Sequence, residues 1–156
     1  MTEPGEGVTP LQVRVDHGCF GCGAANPHGL HLSFTPEADG VRATFTPLEA
    51  HQGYEHVVHG GIISTLLDEA MAWAVAAAGI WAVTGEMQVR FRRPLHVGET
   101  VSLHGTVTDI RTRAISVSGE VVREADRQII ATATALFVRV PAATEAAWKE
   151  RYLSTR

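Results

Sequence analysis

Two short features in the chain carry side chains and backbone suited to chemistry, and they lie close together. His59-Gly60-Gly61 opens an apolar segment, and Asp68 follows nine residues after the histidine, with Glu69 directly beside it. Backbone N–H groups at the start of a helix have no internal acceptor, and the helix dipole favours negative charge there. Glycine lets a ligand approach that backbone closely. His59-Gly60-Gly61 therefore reads as a place that could hold a developing negative charge on oxygen. A carboxylate pair on the same greasy segment needs its own explanation.

The helix that positions them runs roughly from Gly60 to Gly79. At 100° per residue, Ile62, Ile63, Leu66, Leu67, Ala70, Trp73, Ala74 and Ala77 fall on one broad arc, and Thr65, Asp68, Glu69 and Ala72 on the narrow opposite one. This predicts a helix buried on most sides with one polar slot. Before it, Leu30, Leu32 and Phe34 alternate with His31 and Ser33, and Val41, Ala43 and Phe45 alternate after the turn Glu37–Gly40, which predicts a hairpin. After it, everything has period two. Met87, Val89 and Phe91 share a face against Gln88, Arg90 and Arg92. Further runs centre on Val101–Val107, Ile115–Val121 and Ala131–Phe137. Connections this short exclude crossover helices, so the sheet is expected to be antiparallel and wrapped around one helix.

The chain has 156 residues, enough for one domain with a core. Residues 1–10 read as a flexible leader, 11–141 as the domain, and 142–156 as a tail that could form a short helix. A net charge of −4 and the lack of a basic run disfavour nucleic acid and anionic membrane as partners. The amino end lacks the basic start and apolar core of a signal peptide, and the apolar run Ala70–Val83 is too short to span a bilayer. A cytoplasmic protein is the expectation.

Cys19 and Cys22, with His17 and His28 nearby, invite a metal reading. Only two cysteines exist, however, and a structural zinc site takes four ligands. A redox role would want a βαβ setting, which is missing. The pair is taken as a packed turn. His51, His56 and His59 lack a further ligand at metal spacing. No metal and no cofactor is expected.

Four features together resemble the hotdog-fold acyl-CoA thioesterases, in the branch similar to the phenylacetate-pathway thioesterases. They are His59-Gly60-Gly61 with Asp68, the opening "CFGCGAANPHGLHLSF", the passage "VTGEMQVRFRRPLHVGE", and the order of strands and helix. The resemblance covers about residues 17 to 140. It implies an α+β hotdog fold, a long central helix wrapped by a curved antiparallel sheet of about five to six strands. It also implies homodimers, and dimers of dimers, with sites at the subunit interface, and an acyl-CoA substrate.

Residue by residue, the resemblance implies Asp68 as the catalytic carboxylate, acting as base on water or as nucleophile. It implies the Gly60 N–H as oxyanion donor, with His59 positioning the thioester. Thr84 stands where relatives carry a small hydroxyl residue that orients water. Glu69 is the rival carboxylate, and the spacing from the His-Gly-Gly favours Asp68. Gln52, Gly61 and Thr65 are candidates for lining the substrate site. Gly53 stands where relatives have an asparagine. Arg90, Arg92 and Arg93, and less directly Arg113, are candidate contacts for the phosphates of CoA. Two other readings stay open: a hotdog enoyl-CoA hydratase or dehydratase, and a non-catalytic acyl-CoA-binding protein. Each fits the apolar helix, and neither would release thiol.

Overall fold

The computed structural model describes residues 13–153. Six strands form one antiparallel sheet: β1 (Thr35–Glu37), β2 (Gly40–Phe45), β3 (Ala82–Phe91), β4 (Val101–Ile110), β5 (Ala114–Arg123) and β6 (Ile129–Arg139). Their order across the sheet is β1-β2-β4-β5-β6-β3. A long helix, α1 (Gly60–Ala77), lies against the concave face, and a second helix, α2 (Ala142–Tyr152), closes the chain. The expected architecture is therefore present, with the four late strands where the alternation put them.

Close approach of helix to sheet depends on one row of small residues. Gly105 of β4 pairs with Gly119 of β5, and Gly119 with Ala133 of β6. A Cβ at Gly105 would sit 2.1 Å from the Ala70 carbonyl oxygen, and one at Gly119 would sit 3.1 Å from the Met71 side chain. The sheet thus accepts the backbone of α1, not just its side chains. Around that seat Leu66, Leu67, Ala70 and Met71 are fully buried against Leu103, Val117, Val121 and Phe137. Burying side chains of this size contributes about 1.5–3 kcal/mol each, which is what holds α1 in place.

The buried arc of α1 is rotated from the expected one. Met71 and Val75 are buried, whereas Ile62, Trp73 and Ala77 are only partly so. Past the helix, Gly79 turns the chain away with a φ of 77°, the left-handed conformation that glycine adopts without cost.

The expected first strand at Leu30–Phe34 is a correction. Leu30 and Leu32 are buried, but their N–H groups bond to the carbonyls of Phe20 and Gly21, not to a neighbouring strand. The alternation marked burial correctly. The sheet partner is the cysteine turn's backbone, and true pairing begins only at Thr35.

The expected tail is a docked helix from Ala142 to Tyr152. Trp148 of α2 packs on Trp81, Tyr152 packs edge-on to His17, and Arg14 N–H bonds to the Tyr152 carbonyl. The leader at 1–10 lies outside the described residues.

Candidate active site

His59 is the N-cap of α1, and its Nδ1 accepts the Gly61 N–H at 2.8 Å. The N–H groups of Ile62 and Ile63 go to the His59 carbonyl. That leaves the Gly60 N–H without an acceptor among the described residues. The cap thus selects which donor stays free: histidine consumes the second glycine's N–H and leaves the first. The ring of Phe91, from β3, lies 3.6 Å from where a Gly60 Cβ would be. Gly53 packs against His59, its would-be Cβ 3.4 Å from the histidine ring.

Two turns along α1, Asp68 is half-buried and accepts a hydrogen bond from Thr84 Oγ1 at 2.6 Å. Geometry on β3 makes this contact possible. Strict alternation would put Thr84 on the outer face with Gln88 and Arg90. A bulge at Gly85, between Thr84 and Glu86, resets the alternation, so that Thr84 and Met87 both face the helix. A Cβ at Gly85 would lie 2.8 Å from Val138, so a small residue suits the bulge.

Asp68 and Glu69 were expected to share one polar slot; the structure separates them. Glu69 turns the other way, into the Cys19–Cys22 turn. It accepts Trp73 Nε1–H at 3.2 Å, and Cys19 Sγ lies 3.8 Å from its Oε1. Burial pushes its pKa up to about 7. Sequence angle alone could not show this, because the amino-terminal turn that covers Glu69 lies fifty residues away.

The other candidates divide by location. Thr65 donates its hydroxyl to the Gly61 carbonyl, a bond within the first turns of the helix. Gln52 is exposed, and its Oε1 accepts the His56 N–H at 3.0 Å, holding the loop before α1. Arg90 points to the outer face of the sheet, where with Glu120, His104 and Thr132 it lines a polar depression of about 580 Å³. That face is opposite α1, so Arg90 stands apart from Asp68. Arg92 and Arg93 are exposed just past β3, both N–H groups bonded to the Ile130 carbonyl. Arg113 is exposed in the β4–β5 turn.

Between α1, β3 and α2 lies a cavity of about 650 Å³ that the sequence did not reveal. Trp73, Trp81, Trp148 and Tyr152 supply much of its wall, Thr84 stands at one side and Glu69 at another. Docking of α2 creates it, and no local pattern in the sequence announces that docking.

A carboxylate held by a threonine sits here two turns along a helix whose start leaves one N–H free, and an antiparallel sheet cradles that helix. The family model described as the thioesterase superfamily matches residues 55–130, the span from the loop before α1 into β6. The chain has the hotdog fold of the thioesterase superfamily. A solved thioesterase superfamily protein superposes with a TM-score of 0.68 at 30% identity, over 72% of this chain and 56% of that one. The E. coli PaaI protein from the phenylacetic acid degradation operon gives 0.66 at 22% identity, over 70% of this chain and 84% of that one. A Streptococcus pneumoniae hypothetical thioesterase protein solved with coenzyme A gives 0.66 at 16% identity, over 70% and 85%. Mouse acyl-coenzyme A thioesterase THEM4 is 26% identical over 89 residues, 57% of this chain and 38% of the mouse protein. The hotdog chain thus spans well under half of that curated relative.

Proposed function

We propose that this hotdog protein hydrolyses the thioester of a small or medium acyl- or aryl-CoA to the free acid and CoA. The observation that carries the reading is the Asp68–Thr84 pair on a helix whose start leaves the Gly60 N–H free. Likeness to thioesterases, one named as an acyl-coenzyme A thioesterase and one solved with coenzyme A, supports the substrate class.

In this reading the threonine hydroxyl donates to one Asp68 oxygen and fixes the carboxylate in place. The other oxygen is free to take a proton from water or to attack the carbonyl carbon. The oxyanion that forms is held by a backbone N–H at a helix start. Gly60 and Asp68 are eight residues apart on one straight helix, which is about 12 Å. One helix cannot present both groups to the same carbonyl, so the Gly60 N–H comes from the α1 of a second subunit. His59 acts through the cap, by keeping the Gly61 N–H occupied. The acyl group enters the aromatic-walled cavity beside Thr84, and the cavity is large enough for a medium chain or a ring. Arg92 and Arg93, beyond Phe91 and on the edge nearest the helix start, are better placed for the CoA phosphates than Arg90.

Gel filtration with light scattering, joined to a thiol-release assay across aliphatic and aryl-CoAs, tests the reading. Expected are a dimer or larger assembly and clear preference for some acyl groups. Ligand binding without thiol release would replace hydrolysis with the binding-protein reading.

A further inference from the structure

The amino-terminal turn and α1 bring together three donors that no other feature of the fold accounts for. Cys19 Sγ, Cys22 Sγ and a Glu69 carboxylate oxygen all lie within 4.8 Å of one another. Cys19 Sγ is 3.8 Å and 4.0 Å from the two Glu69 oxygens. A tetrahedral zinc ion with ordinary bond lengths of about 2.3 Å to sulfur and about 2.0 Å to oxygen needs sulfur–oxygen edges of about 3.5 Å. The Cys19–Glu69 edge is thus a few tenths of an ångström from that arrangement, and Cys22 Sγ lies within 4.8 Å of both partners.

The surroundings are built to hold them. Gly21 sits against the carboxylate: a Cβ there would lie 2.5 Å from Glu69 Cδ. Gly23 N–H bonds the Cys19 carbonyl at 2.9 Å and closes the turn, and a Cβ at Gly23 would strike the backbone of His17 and Cys19. Trp73 Nε1–H fixes one Glu69 oxygen, as an outer-shell partner does for a metal-binding carboxylate. Cys22 is buried, and Cys19 and Glu69 are half-buried at the wall of the large cavity.

We propose that Cys19, Cys22 and Glu69 bind a thiophilic divalent cation of the zinc class, with its fourth position open to that cavity. Two sulfurs disfavour magnesium and calcium, which take oxygen ligands. Three protein ligands with one open position distinguish the site from a closed structural one. The site borders the same cavity as Thr84 but takes neither Asp68 nor Thr84 as a ligand, and it does not depend on the hydrolytic reading.

Binding of a dication displaces the Cys22 thiol proton and any proton on Glu69 to solvent, and its two positive charges offset the thiolates and carboxylate.

The test is a titration of the full chain, reduced and stripped with chelator, with Co²⁺ and then Zn²⁺. Expected is a thiolate-to-cobalt charge-transfer band that saturates at one Co²⁺ per chain and is bleached by Zn²⁺. Cys22→Ser should abolish the band. Glu69→Gln, which keeps the shape, should weaken cobalt binding about tenfold or more. The absence of the band in wild-type protein overturns the proposal. So does a Cys19–Cys22 disulfide in freshly purified protein, or unchanged cobalt affinity in Glu69→Gln. None of these readouts passes through thioester turnover, so failure of the hydrolytic reading leaves them intact.

Discussion

Asp68 and Glu69 are adjacent, yet each is defined by what comes to meet it. Thr84 meets Asp68 and the cysteine turn meets Glu69. Asp68→Asn should therefore leave the fold intact and lower kcat about a hundredfold or more, the range expected for loss of a general base. Thr84→Val should lower it less, about tenfold, because a hydrogen bond to a charged group contributes about 1.5–3 kcal/mol. Steady-state kinetics beside a thermal melt checks both. Glu69 carries a pH signature instead. Its folded pKa of about 7 lies above the ordinary 4.5, so the folded state keeps a proton that the unfolded chain has lost. The stability it contributes is fully present below pH 4.5 and is lost as pH rises through 7. In chelated buffer, Cys19→Ser protein should lose on the order of 2 kcal/mol across that window relative to Cys19→Ser/Glu69→Gln. The Cys19→Ser background removes the opposing thiol titration, and urea melts at a series of pH values give the slope.

At the scale of elements, the sheet's small-residue row and the β3 bulge do the positioning. Gly105→Ala would place a Cβ against the Ala70 carbonyl, so α1 must lift from the sheet. A loss of about 3 kcal/mol is expected in urea unfolding, near the upper end for overpacking. Alternation and helical periodicity were enough to read α1 and the four late strands, because a core face imposes its period on the sequence. The same rule missed the bulge at Gly85. Strict alternation puts Thr84 on the wrong face, and only the resemblance to known thioesterases pointed to it. It also misread Leu30–Phe34, since buried leucines alternate whether their backbone bonds a strand or a turn. The partner of Glu69 was not legible at all: a contact across fifty residues leaves no periodic trace.

At the scale of the whole molecule, β3 is an edge strand of ten residues. Val83 and Phe91 along it are 46% and 53% exposed. A long unpaired edge strand invites pairing, and a second copy would bring the Gly60 N–H of its own helix toward Asp68. Sedimentation should give at least twice the 16.8 kDa chain mass, and specific activity should fall on dilution in step with the dimer fraction. A fully active monomer would place both groups' work within one subunit, against the roughly 12 Å of helix between Gly60 and Asp68.

The most direct test of the central claim is free-thiol release from a panel of aliphatic and aryl-CoAs, with wild-type and Asp68→Asn protein side by side. Wild type is expected to release CoA catalytically on at least one member of the panel, and the variant to release it near background at unchanged melting temperature. Equal turnover by the two proteins, or binding of every CoA ester with no thiol released by wild type, would contradict it.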